Sequence, residues 1–73
     1  MHPVDAILQE YNVTRYSFNK TFNFNKNRIS NIALRNTPVD SLPVDIIKAM
    51  SQHFNISMDE VYSKLKAYES SKQ

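Results

Sequence analysis

Between Tyr11 and Val39 the chain carries no aspartate or glutamate, yet Arg15, Lys20, Lys26, Arg28 and Arg35 all fall there, interleaved with Asn25, Asn27 and Asn31. Guanidinium and ammonium groups donate to phosphate oxygens and to the acceptor edges of nucleobases, and a side-chain amide can form a two-point pair with adenine. This is the chemistry of holding a polyanion. The stretch carries +5, while all seven acids (Asp5, Glu10, Asp40, Asp45, Asp59, Glu60 and Glu69) lie outside it with four lysines, so the remainder carries −3. A net charge of +2 therefore hides a polarised molecule. The competing reading of such a stretch is a solvated basic face with no partner.

Catalysis has little to build on. His2 and His53 are isolated, no carboxylate pair sits among apolar neighbours beside a nucleophile, and 73 residues leave little volume for a substrate pocket. An enzyme is not expected. The absence of cysteine removes disulfides and thiolate metal sites, and no cofactor or metal is expected. Glycine is also absent, although ordinary usage near 7% would supply about five in a chain of this length. Glycine-rich phosphate loops and dinucleotide fingerprints are thereby excluded. Turns needing φ > 0 must be made by another residue, and asparagine, of which there are eight, is the usual substitute.

The elements that must position the basic stretch read as helices. Val4, Ile7, Leu8 and Tyr11 form one apolar stripe over residues 3–11, with Pro3 in the first turn, and Asn12 follows as a left-handed cap. Thr14 offers an N-cap to a second helix from Arg15 to Phe22, on which Phe18 and Phe22 are four apart, with a turn at Asn23. Phe22 and Phe24 are expected to pack in the core and turn rather than to stack on single strands. Asn25 is the expected N-cap of a third helix ending near Asn36, with Ile29 and Ile32 pointing inward. After a loop over residues 37–42, Pro43 opens a fourth helix bearing Ile46, Ile47, Met50 and Phe54, closed by Asn55. Ser57 and Glu60 form a capping box for a fifth helix with Met58, Val61, Leu65 and Tyr68 on its apolar face. Asn12, Asn23, Asn36 and Asn55 are predicted to take φ > 0 in place of glycine.

These elements leave no room for strands. The expected fold is all-α, a compact bundle of five short helices over residues 1–69 forming one domain, with a polar, frayed tail over 70–73. Helices two and three, about three residues apart, have helix-turn-helix spacing: an apolar anchor at Phe18, a turn former at Asn23, and the apolar pair Ile29 and Ile32.

On these residues the chain resembles the lambda-type phage repressor and Cro family of helix-turn-helix regulators, the Xre family. The resemblance covers Ile7 to Leu65, through Ile7 to Tyr16, Asn25 to Ile32, Ile46 to Met50, and Phe54-Asn55-Ile56-Ser57-Met58-Asp59-Glu60-Val61. Asn23 stands where the family usually has glycine, and Asn19 where it usually has a small inward alanine. The first exchange is mild because Asn visits the left-handed region; the second requires a buried amide to find partners.

The resemblance implies sequence-specific binding of double-stranded DNA by a small transcriptional regulator, with the third helix in the major groove of an operator. By position it implies base contacts from Lys26, Asn27 and Asn31, with Arg28 open between base and phosphate. Arg15, Lys20, Asn25 and Arg35 fall to the phosphates, although Asn25 could be simply a cap and Lys20 an idle surface lysine. One module of this size buries little surface, so a homodimer spanning two half-sites is expected on DNA, contacting through helix five and residues such as Tyr62, Leu65 and Tyr68, with a free monomer as the alternative. A protein-interaction module of the same fold, with an antitoxin-like or anti-repressor partner, is the alternative, and double-stranded RNA or non-specific binding is third. No run approaches the 18 or more apolar residues of a membrane span, and no secretory signal is visible at the start, so a cytoplasmic protein without a membrane partner is expected.

Overall fold

Four asparagines set where the chain reverses. In the computed structural model, which describes residues 1–71, Asn12, Asn23, Asn36 and Asn55 have φ of 61°, 58°, 52° and 59°, and no other described residue has positive φ. Three of them close a helix in the same way. The amide after the asparagine returns to a carbonyl five residues back (Val13 to Leu8, 2.9 Å; Phe24 to Asn19, 2.8 Å; Thr37 to Ile32, 3.1 Å), and the asparagine's own amide bonds three back. This is the Schellman arrangement, which satisfies carbonyls that a helix end would otherwise leave bare. At Asn55 the amides of both Asn55 and Ile56 turn back to the Ser51 carbonyl, and Ser51 Oγ donates to the Ile56 carbonyl at 2.6 Å.

Among the described residues five α-helices result: α1 (Pro3–Glu10), α2 (Arg15–Thr21), α3 (Arg28–Leu34), α4 (Val44–Phe54) and α5 (Met58–Ser71), with one 3₁₀ turn at Val39–Ser41 between α3 and α4. The described residues contain no strand. Thr14 Oγ1 accepts from the Ser17 amide at 3.0 Å, and Ser57 Oγ from the Glu60 amide at 3.0 Å, as the capping pattern predicts. The α1 cap falls to His2. Its Nδ1 accepts from the Val4 amide at 3.1 Å while Nε2 donates to the Thr37 carbonyl at 2.8 Å, which requires the neutral Nε2–H tautomer and ties the first helix to the end of the third.

The start of α3 differs from expectation. Asn25 does not cap it; its Oδ1 accepts from the Asn27 amide at 2.8 Å, and the Arg28 amide bonds the Asn25 carbonyl at 3.0 Å, so residues 25–28 form a side-chain-supported turn. Asn27 takes the cap position without a side-chain cap bond. The link from α2 to α3 is therefore six residues, Phe22 to Asn27, instead of about three. An aspartate- or asparagine-type turn uses the same side-chain oxygen and nearby amide as an N-cap, which is why sequence could not separate them. Smaller shifts occur at Tyr11, Phe22 and Pro43, each just outside its helix, and Ser70 and Ser71 continue α5 instead of fraying. Residues 72–73, the end of the expected polar tail, lie outside the described residues.

One core serves all five helices. Ile7, Phe18, Ile29, Ile46, Met50, Val61 and Leu65 are fully buried within it. Helix α5 lies against α1, α4 and the 3₁₀ turn, α2 against α3, and α3 against α1. The radius of gyration, 11.0 Å, matches the ~11 Å expected of a close-packed chain this long. Burial of Phe18, Ile29 and Ile32 fixes which side of α2 and α3 faces inward; of their polar residues Asn19 is buried with them, while Lys20 and Asn31 are exposed.

Candidate nucleic-acid interface

The eight residues assigned from sequence separate into two depressions and a ridge. Arg15, Lys20 and Lys26 line a hollow with Tyr16, Asn19 and Phe24. A second groove takes Arg28, Asn31 and Arg35 together with Ile32, Thr37 and Pro43. Asn25 and Asn27 line neither; both are exposed on the turn that precedes α3.

Two of the five cations are not available as bare charges. Arg15 makes a two-point pair with Asp5, Nε to Oδ1 at 2.8 Å and Nη2 to Oδ2 at 2.7 Å, and its Nη1 donates to Ser30 Oγ at 3.2 Å. One guanidinium thus joins α1, α2 and α3, and the hydrogen bonds it donates to Asp5 push its already high pKa further up. Arg28 Nη2 donates to Asp45 Oδ1 at 2.7 Å, and its guanidinium carbon lies 4.6 Å from the centre of the Phe24 ring. That bond holds the Asp45 carboxyl below the ordinary aspartate value. The acid-free stretch is therefore partly neutralised by acids from outside it.

Lys20, Lys26 and Arg35 are exposed and enter no ion pair among the described residues. Lys20 Nζ sits 5.7 Å from the ring centre of Tyr16, itself 71% exposed. The amides of Asn27 and Asn31 are likewise exposed, with no side-chain partner among the described residues. Donors and acceptors are thus presented unspent along the turn and the outer side of α3.

Sequence reasoning missed Asp5, Asp45, Tyr16, Ser30 and Thr37 as neighbours of these residues. Asp5 and Asp45 are 10 and 17 residues from the arginines they bind, beyond any helical spacing, so no local signal marks them. Asn19 behaves as a buried amide in need of partners. It is 3% exposed; its Nδ2 donates to the Lys26 carbonyl at 3.2 Å, while Oδ1 has no partner among the described residues. The one bond made is to the turn that carries Lys26. Phe22 and Phe24 pack half-buried against Phe18 with ring centres 5.1 and 6.0 Å away, and His53 stands edge-on at 6.0 Å. They form a brace under the turn, in keeping with the packing role expected of them.

Of the three α5 residues expected at a dimer contact, one is exposed, Tyr62 (41%). Leu65 is fully buried, Tyr68 is half-buried with its hydroxyl donating to Glu10, and Tyr62 donates to Asp40 at 2.6 Å. Both tyrosine hydroxyls are thus bonded within the chain. The large apolar side chains left most exposed include Leu34 (83%) on α3 and Val44 (69%) on α4. Among the described residues no group of acids and histidines could hold a metal ion, and no helix is long and apolar enough to cross a membrane. No protein-family model, curated protein or solved structure matches the chain.

Proposed function

We propose that the chain binds double-stranded DNA sequence-specifically, as a small regulator of the lambda-type repressor and Cro (Xre) kind, with α2, the Phe22–Asn27 link and α3 acting as a helix-turn-helix. One observation carries this reading: Lys20, Lys26 and Arg35, with the amides of Asn27 and Asn31, are exposed and uncommitted on one continuous segment. Lys64 and Lys66 of α5, by contrast, are tied to acids of the same chain. Ammonium and guanidinium groups left unneutralised beside free amides suit a ligand that offers phosphates and base edges together.

In this reading Lys26, Asn27, Arg28 and Asn31 face base edges, while Lys20, Arg35 and the free amide nitrogen of Asn25 hold phosphates. Arg15 changes role. With Asp5 and Ser30 engaging three of its five N–H donors and Asp5 balancing its charge, it positions α2 against α1 and α3 and contributes little to the phosphate grip. The reading is tested by selection from a randomised duplex pool. An enriched motif at low salt supports it, and retention without enrichment contradicts it. Within an enriched motif Asn31→Ala relaxes one position.

A protein-partner reading draws on the exposure of Leu34 and Val44. Salt separates the two: phosphate contacts give a log-log slope of about −0.9 each, and an apolar interface responds far less.

A further inference from the structure

We propose that Asp45 and Phe24 hold Arg28 as a preset guanine reader, so that Asp45 determines specificity at one base pair by positioning the arginine. The inference rests on the duplex-DNA reading and settles which of two roles Arg28 has within it.

Arg28 opens α3, next to Lys26 and Asn27. Its side chain is 28% exposed; the guanidinium carbon lies over the Phe24 ring, 4.6 Å from its centre, and Nη2 is held by Asp45 Oδ1 at 2.7 Å. A guanidinium has five N–H donors in a fixed plane, and the bond to Asp45 uses one of them. The remaining donors belong to a guanidinium held at two points, over the Phe24 ring and against the Asp45 carboxylate.

That arrangement suits a base better than a phosphate. Phosphate affinity comes from net charge, and a carboxylate at 2.7 Å cancels the charge of Arg28 while repelling an approaching phosphate. Guanine presents O6 and N7 as neutral acceptors, so a two-point bond to it depends on where the plane points. Holding that plane in advance removes the ordering cost of a long side chain. A lysine could not replace it, because an ammonium has no fork and does not stack. Asp45 belongs to α4, and its carboxylate is 55% exposed, with Arg28 as its ion-pair partner.

The test is selection from a randomised duplex pool, run in parallel on the wild type, Asp45→Asn and Arg28→Lys, with circular dichroism and melting curves for each. The wild type is expected to enrich a motif with guanine fixed at one position. Both variants should keep the rest of that motif and lose discrimination at that position by about 10-fold or more. Asp45→Asn should in addition bind non-specific duplex at least as tightly as the wild type, since a repelling charge is gone; a merely structural role for Asp45 would not move one base preference alone. The proposal is overturned if Asp45→Asn keeps the guanine preference, or weakens every position equally in step with a lower melting temperature. It is also overturned if Arg28→Lys keeps the preference, which would leave the DNA reading standing. Enrichment of no motif by the wild type overturns the DNA reading itself and this inference with it.

Discussion

The two sides of this small bundle use the same residue types to opposite ends. Where α5 meets α1 and the 3₁₀ turn, charges are matched. Lys64 pairs with Glu10 at 2.8 Å, Lys66 with Asp40 at 3.3 Å and Glu69 at 3.0 Å, and Glu69 accepts from the Val39 amide at 2.9 Å. Tyr62 and Tyr68 add hydroxyl donors to Asp40 and Glu10. Along α2, the link and α3, the cations that are paired, Arg15 and Arg28, are those that shape the surface, and Lys20, Lys26 and Arg35 are left open. A surface whose charges satisfy one another is a fastening. One whose charges do not is a candidate for an outside partner, because like charges kept together weaken the fold slightly and need another reason to persist.

The largest effect falls on the core that the two sides share. Phe18→Ala removes a fully buried ring at a cost of about 3–5 kcal/mol. The whole domain has on the order of 4–11 kcal/mol at the per-residue average. Both sides should unfold together in one thermal transition. Independent melting of the α2–α3 side, seen by hydrogen exchange, would show two units where we describe one core.

Acid should loosen the fastened side. Lys64 and Tyr68 hold Glu10 below the usual glutamate range, Tyr62 and Lys66 do the same for Asp40, and the Val39 amide and Lys66 for Glu69. Each carboxylate titrates lower when folded than when unfolded, so its contribution is complete above the ordinary carboxyl range and disappears as pH falls through the folded values. The melting temperature should drop between pH 6 and pH 2, and Glu10→Gln should reduce the size of that drop. An unchanged drop in Glu10→Gln would mean that the matched charges are ornamental.

Backbone demands should be alike on the two sides. Asn55→Ala, at the α4 end, and Asn23→Ala, at the α2 end, each place an ordinary residue in the left-handed region and should cost about 1–2 kcal/mol. Glycine at either position should restore most of it. The smallest effect is expected at Asn19. Alanine forfeits its bond to the Lys26 carbonyl but also removes the orphaned Oδ1, so the net change should stay within about 1 kcal/mol. Asn19→Asp sets a carboxylate against that carbonyl and should cost more, read from denaturant midpoints.

Much of the architecture was legible because few residues could have produced it. With no glycine in the chain, left-handed helix ends had to fall on asparagine, and the four chosen from element spacing are the four with positive φ. Phe18, Ile29 and Ile32 were legible as core residues because helical spacing allows only one inward face. The start of α3 was not, since Asn25 could support a turn or cap a helix with the same oxygen. The neutralisation of Arg15 and Arg28 was illegible for a different reason: it depends on chain segments brought together only by the tertiary fold.

The contrast between the two sides is tested most directly by the salt dependence of duplex binding in two double variants. Lys20→Ala with Arg35→Ala removes open charges, and Lys64→Ala with Lys66→Ala removes fastened ones. With the enriched duplex as ligand, the first pair should flatten the log-log salt slope by roughly 1.8, about 0.9 for each lost phosphate contact. The second pair should leave the slope at its wild-type value. Equal slopes in the wild type and the first variant, or a flatter slope in the second, would contradict the assignment of the open face to DNA.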